Sequence, residues 1–196
     1  MRLLLATHND HKRREFERML AGAGEPVVLD VLERSFELPP EDGETFAENA
    51  LGKARAAAAG LARIAIADDS GIVAAALGGA PGVRSARFAG ADASDRENLE
   101  KLLAEAPAGS ALEYVCVIAY ADPESGEERL FEGRCAGRLT DRPRGERGFG
   151  YDPAFMPDDG PDGLTMAELS DEQKDAISHR GRAARALLAW LALKAG

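Results

Sequence analysis

Cysteine is scarce in this chain, two in 196 residues. Cys116 and Cys135 sit in apolar or small-residue surroundings without metal-ligand spacing, which excludes a disulfide framework and a thiolate metal site and leaves reduced core thiols. Long apolar runs are missing as well. No stretch approaches the roughly 20 residues of a membrane span, and the opening MRLLLATHND has too short an apolar core for a secretory signal. The expectation is a soluble, cytoplasmic protein with no membrane partner. Nor is there an excess of positive charge: 24 Lys and Arg face 34 Asp and Glu, a net charge of -10. Proteins that hold a nucleic-acid backbone usually show a basic face, so nucleic acid is not an expected partner. A small phosphorylated ligand stays open, because a pocket can supply local cations and a divalent metal within an acidic field. No repeat, low-complexity tract or linker-like charge block divides the chain. With 45% hydrophobic residues it can bury one good core, which predicts a single domain over residues 1–196 with room for two lobes.

What is present reads as helices and strands intermixed. RLLLAT is a short apolar run, and NDHKRREFERMLAGAG follows it with Phe16, Met19 and Leu20 at helical spacing. Asn9 or Asp10 can cap that helix, and Gly22 and Gly24 can end it. VVLDVL reads as a second strand. From Thr45, a stripe of Ala47, Ala50, Leu51, Ala54, Ala58 and Leu61 predicts a helix packed through small side chains, with Asn49 and Lys53 together on another face. IAIADD and IVAAAL read as two short strands broken at Ser70-Gly71, and DRENLEKLLAEA as a surface helix over Asp95 to Ala106. EYVCVIAYAD and ERLFEGRCAGRLT, joined by PESGE, have the signature of a hairpin. Ser170 with Gln173 forms a capping box, and Ser178 heads a terminal helix bearing Leu187, Leu188, Trp190 and Leu191. The class is α/β or α+β with a mixed sheet.

Several segments carry candidate chemistry. In ADDSG, Asp68 and Asp69 would point to opposite faces if the strand continues, so one carboxylate should face a cleft. The other reading is a turn in which an Asp side chain bonds its own backbone. THNDHK has the layout of a strand-to-helix phosphate cradle with Lys12 in the first turn, although it lacks the glycines of a P-loop. KDAISHRGR gathers Lys174, His179, Arg180 and Arg182 at a helix start, where cations gain nothing from the helix dipole; they either meet an anion or form a solvated face. GFGYDPAF combines glycines with Phe149 and Tyr151, either for approach of a flat base or as an aromatic turn.

Taken in order, LATHNDHKRREF, TFAENALGKA, ADDSGIVAAALGGAPGVRSARFAG, GFGYDPAF and TMAELSDEQKDAISHRG resemble the inosine/xanthosine triphosphate pyrophosphatases, which remove deaminated purine nucleotides from the precursor pool. The resemblance covers nearly the whole chain. It implies an elongated α/β fold with a long mixed sheet and flanking helices, two lobes around a central nucleotide cleft, a homodimer and a required magnesium ion. It implies that Thr7, His8, Asn9, Asp10, His11 and Lys12 hold the triphosphate, with Lys53 a further phosphate contact. Asp69 becomes the catalytic carboxylate and a metal ligand, with Ser70 beside it on the substrate. Phe149, Gly150, Tyr151 and Asp152 line base and sugar, and Lys174, His179 and Arg180 bind phosphate and purine. The reaction it implies converts ITP, dITP or XTP to the monophosphate and pyrophosphate.

This chain departs from the family pattern in two places. Pro39, Pro40, Glu41 and Asp42 stand where relatives often have two acidic residues, which excludes a metal ligand at position 40 and makes Glu41 the substitute. His8 and His11 replace residues that are often small, and either touch phosphate or are solvated loop histidines. Two other functions stay open: an enzyme of related fold for pyrimidine or modified triphosphates, and a non-catalytic nucleotide sensor, against which Asp69 and Glu41 count.

Overall fold

The computed structural model describes residues 1–21 and 27–195. Gly22 and Gly24, the expected stop of the first helix, lie outside the described residues. Six strands form one mixed sheet: β1 (Arg2–Leu5), β2 (Val28–Val31), β3 (Ala65–Ala74), β4 (Ala111–Ala121), β5 (Glu128–Leu139) and β6 (Phe155–Pro157), in the spatial order β2-β1-β3-β4-β5-β6. β1 runs parallel to β2 and β3, and β5 antiparallel to β6. The helices are α1 (Asp10–Ala21), α2 (Phe46–Leu61), α3 (Asp95–Glu105), α4 (Asp171–Ile177) and α5 (His179–Ala195). The α/β reading with a mixed sheet and flanking helices is borne out. None of the described helices is long and apolar enough to cross a membrane.

Capping chemistry starts several of these helices. Asn9 Oδ1 accepts the backbone N–H groups of His11 (2.9 Å) and Lys12 (3.1 Å), so Asn9 rather than Asp10 is the cap of α1. Thr45, Ser94 and Ser170 each close a reciprocal capping box, with Glu48, Glu97 and Gln173. Such caps typically contribute about 1 kcal/mol each.

The chain divides into two compact units, Met1–Asp69 with Cys116–Gly133 and Arg180–Gly196, and Ser70–Val115 with Arg134–His179. In the first unit the two-residue period of the strands sorts side chains between two cores. Leu3, Leu5, Ile66, Cys116, Ile118 and Tyr120 meet Phe16 and Leu20 of α1 and Ala183, Leu187 and Leu191 of α5. Leu4, Ala6, Ala65, Ala67, Val117 and Ala119 meet Ala50, Ala54, Ala57 and Ala58 of α2, whose small side chains permit close packing. The expected stripe on α2 needs one correction. Ala57 takes a buried place, whereas Leu61, at the helix end, is 41% exposed. The core of the second unit joins Ile72, Leu102, Leu112, Tyr114, Leu139, Phe155 and Met166.

β3 is a second correction. The expected break at Ser70-Gly71 does not occur, and ten residues run as one strand. Ser and Gly are weak strand formers, but β3 neighbours β4 in the sheet, and past its short pairing with β1 at Ala65 and Ile66 the Ile72 N–H donates to Ser85 Oγ at 2.9 Å and Val73 bridges Pro81, partners distant in sequence that outweigh a local turn preference. Asp68 and Asp69 therefore lie within a strand and not in a turn. Both cysteines are buried and neither is in a disulfide.

Candidate active site

Strand alternation places Asp68 with Ile66, on the side of the sheet covered by α1 and α5. There its Oδ2 accepts Arg180 Nε (3.2 Å) and Nη2 (3.1 Å), and Lys12 Nζ stands 3.1 Å away. Arg180 Nη1 also donates to Glu15 Oε2 at 2.5 Å. Asp68 is 1% exposed, and so is Arg180. Burial alone would push the Asp68 carboxyl up. The charges of Lys12, Arg180 and Lys53 outweigh it and hold the group well below the ordinary carboxylate range. The Cys116 thiol, 3.8 Å from Asp68 Oδ2, is pushed upward by burial and by the Asp68 charge, so it stays protonated. The guanidinium of Arg180, expected on the substrate, is here engaged by two buried carboxylates, because a buried cation requires neutralisation.

Asp69 shares the other side of the sheet with Ala65 and Ala67, facing α2. Asn49 Nδ2 donates to its Oδ2 at 2.9 Å. Lys53, one helical turn beyond Asn49, donates to the Asp68 carbonyl oxygen at 2.7 Å and to Glu41 Oε1. Burial pushes the Asp69 carboxyl up and prevails over Lys53 and Lys12; the nearby negative charge of Glu41 adds to the rise. Burial acts the same way on Glu41, but the charge and hydrogen bond of Lys53 prevail and hold it low. Lys53, although buried, keeps its proton against desolvation through Asp68, Glu41 and Asp69.

The remaining expected residues of the first unit form the β1–α1 connection. Thr7 is buried and its Oγ1 accepts the Asn9 N–H at 3.2 Å. His8 is exposed and its Nε2 lies 2.9 Å from the Phe36 carbonyl, which it meets as a donor. His11 is exposed on the first turn of α1, and Asp10 pairs with Arg34 at 2.8 Å.

In the second unit, Asp152 organises its neighbours. Its Oδ2 accepts Lys174 Nζ at 2.6 Å and the Phe149 N–H at 2.9 Å, and its Oδ1 accepts the Tyr114 hydroxyl at 3.2 Å. Tyr151 Oη donates to the Ser85 carbonyl at 2.7 Å, and the Gly150 N–H to Asp95 Oδ2 at 2.9 Å. His179 stacks on Tyr114 with ring centroids 4.4 Å apart and planes 5° from parallel. Phe149 and Gly150 are half-buried, as is Ser70, while Asp152, Lys174 and His179 are buried.

Residues 3–190 match the model of the Ham1 family. A relative from Symbiobacterium thermophilum named dITP/XTP pyrophosphatase is 51% identical, covering 93% of this chain and 90% of its own. One of the same name from Corynebacterium glutamicum (strain R) is 46% identical, covering 98% and 97%. The solved Ham1 protein of Staphylococcus aureus superposes with a TM-score of 0.81 at 38% identity, covering 99% of this chain and 100% of its own. The chain belongs to the Ham1 family.

Whether this Ham1-family chain can hold a divalent cation is tested by its own donors. The negative charge of Glu41 helps to raise the Asp69 pKa, so the two carboxylates share a field that a cation would relieve. No group of three or more His, Cys, Asp and Glu side chains with the arrangement of a metal cage occurs among the described residues. An oxygen-only pair fits magnesium, which takes one or two carboxylates and keeps most of its waters.

Sequence reasoning missed Glu15, Tyr114 and Asp95. Glu15 stands in the charged run KRREFER, where little separates it from Glu17, which pairs on the surface with Arg13 at 3.2 Å. Its place next to Phe16, a residue of the expected apolar stripe, was the one available signal.

Proposed function

We propose that this Ham1-family protein hydrolyses deaminated purine nucleoside triphosphates, ITP, dITP and XTP, to the monophosphate and pyrophosphate. The observation that carries the reading is the division of labour at Asp68-Asp69: one carboxylate is neutralised by Arg180 and Lys12, and the other is buried, raised in pKa and beside Glu41 and Lys53. The relatives named dITP/XTP pyrophosphatase support the substrate class.

In this reading Asp69 orients the water that attacks the α-phosphorus, and its raised pKa makes it a better proton acceptor than an exposed aspartate. The bond to the bridging oxygen breaks, and pyrophosphate leaves with its charge met by Lys12, Lys53 and Lys174. Glu41 and Asp69 would hold magnesium, which supplies charge neutralisation on the phosphates. The connection Thr7, His8, Asn9, Asp10, His11 and Lys12 receives the triphosphate, with backbone N–H groups at the start of α1. Ser70 contacts the substrate beside Asp69. Phe149, Gly150, Tyr151, Asp152 and His179 receive sugar and base, and Arg180 serves the site through Asp68. The resemblance further supports one two-lobed domain over residues 1–196, working as a cytoplasmic homodimer. Light scattering that returned the 20.8 kDa monomer mass at micromolar concentration would contradict the dimer.

The test is pyrophosphate release from ITP, XTP, dITP, ATP, GTP and dTTP, with and without magnesium. Preference for the first three supports the proposal; equal rates on all six overturn it. Turnover of dTTP alone would favour the pyrimidine alternative.

A further inference from the structure

Tyr114 lies on β4 and is 6% exposed. Ring contacts and a hydrogen bond hold it in place. Its ring is parallel to that of His179 at 4.4 Å and tilted against Phe155 at 4.7 Å. Its hydroxyl donates to Asp152 Oδ1 at 3.2 Å, while the other oxygen of that carboxylate carries Lys174 and the Phe149 N–H. One rigid side chain thus sets the plane of an imidazole and the position of a buried carboxylate–lysine pair. Tyrosine is well matched to both demands, since the ring supplies a flat stacking surface with few torsions and the hydroxyl a directional bond at its far end. Phenylalanine would keep the first function and lose the second; leucine would lose both.

We infer that Tyr114 is a positioning residue for substrate discrimination, holding His179 and the Asp152–Lys174 pair in one fixed arrangement. This rests on the proposed role of His179, Asp152 and Lys174 in binding the substrate. The hydroxyl acts on binding more than on the attacking water, because the Asp152 carboxylate it holds fixes the Phe149 N–H, on the segment proposed to receive sugar and base.

Two variants separate the contacts. Tyr114→Phe should raise KM for ITP by about 3- to 10-fold, the usual net worth of one hydrogen bond, with a smaller fall in kcat. Tyr114→Leu should also compress the ITP:ATP ratio of kcat/KM by about 3- to 10-fold, the scale of an aromatic contact. Proton NMR gives a readout independent of turnover. The chain has three histidines, and the His179 ring protons, shifted upfield by the stacked Tyr114, should keep that shift in Tyr114→Phe and lose it in Tyr114→Leu. A lower melting temperature with wild-type KM and ratio in both variants would mean a merely structural role and overturn the inference, as would an unmoved His179 signal in Tyr114→Leu. Should the leucine variant fail to fold, the KM of Tyr114→Phe decides alone. Absence of ITP preference in the unaltered enzyme would instead sink the assigned function, while the NMR comparison would still test the coupling.

Discussion

Asp68 and Asp69 are adjacent in the chain and face opposite sides of one sheet, Asp68 bonded to Arg180 at 3.1 Å and Asp69 to Asn49 at 2.9 Å. Replacing each by asparagine should therefore give different phenotypes. Asp69→Asn should lower kcat by at least ~10²-fold with a smaller change in KM, as for a group used mainly in the transition state. Asp68→Asn should cost about 3–5 kcal/mol of stability, since it leaves Arg180 and Lys12 undercompensated in the interior. Urea unfolding and steady-state kinetics on both variants check this, and a larger kcat loss in a fully stable Asp68→Asn would reverse the assignment.

The same pair sets opposite pH dependences. Asp68 has a lower pKa folded than unfolded, so its contribution to stability is present above the unfolded value of about 3.9 and is lost as pH falls below it. Asp69 has a raised folded pKa: its protonated form favours folding, and that contribution is lost as pH rises through the folded value. Asp69→Asn should thus melt at or above the wild-type temperature at neutral pH without metal. Asp68→Asn should flatten the acid limb of the stability profile. Melting curves from pH 3 to 8 test both.

Turnover should require a divalent cation, because Glu41 and Asp69 would repel a polyphosphate unless one intervenes. Excess EDTA should abolish pyrophosphate release and magnesium restore it. Full activity in EDTA would remove both residues from a metal role.

These outcomes reflect what local sequence can and cannot carry. The starts of α1 and α4 were legible because Asn9 and Ser170 cap helices through residues two or three positions on, and α2 because small apolar residues recur at helical spacing from Thr45. The fate of ADDSG was not, since a turn-prone Ser-Gly becomes mid-strand only through partners far along the chain, β4 in the sheet and Ser85 and Pro81 beside Ile72 and Val73. Lys12, Lys53 and Asp69 were singled out by residue type and by resemblance. Glu15 and Arg180 lie 165 positions apart, and Tyr114 and Asp152 38 apart, so no local pattern could have paired them.

Arg180→Ala should lower stability and reduce kcat/KM for ITP and ATP alike, leaving their ratio nearly unchanged. Its guanidinium nitrogens serve Asp68 and Glu15, and a group that acts through Asp68 has no means of telling the bases apart. A loss confined to ITP would show that Arg180 leaves those carboxylates to reach the purine.

Two glycines in the GFGYDP region allow a controlled test of the Asp152–Lys174 pair. Gly148 and Gly150 both have positive φ, 71° and 62°, so alanine at either position carries a similar backbone strain of about 1–2 kcal/mol. Their surroundings differ. A Cβ at Gly150 would meet nothing within 4 Å, whereas at Gly148 it would lie 2.1 Å from Asp152 Oδ2 and 3.1 Å from Lys174 Nζ. Asp152 cannot retreat freely, because Tyr114 and the Phe149 N–H hold its two oxygens. Gly150→Ala should then show the strain alone in stability, as a modest fall in melting temperature. Gly148→Ala should add the displacement of the carboxylate, giving a further loss of stability and a rise in KM of about tenfold, the scale of one weakened hydrogen bond to a charged group. Thermal melts and ITP kinetics on the two variants together decide the matter. Equal effects would mean that the Asp152–Lys174 pair relaxes without consequence and does not shape the substrate site.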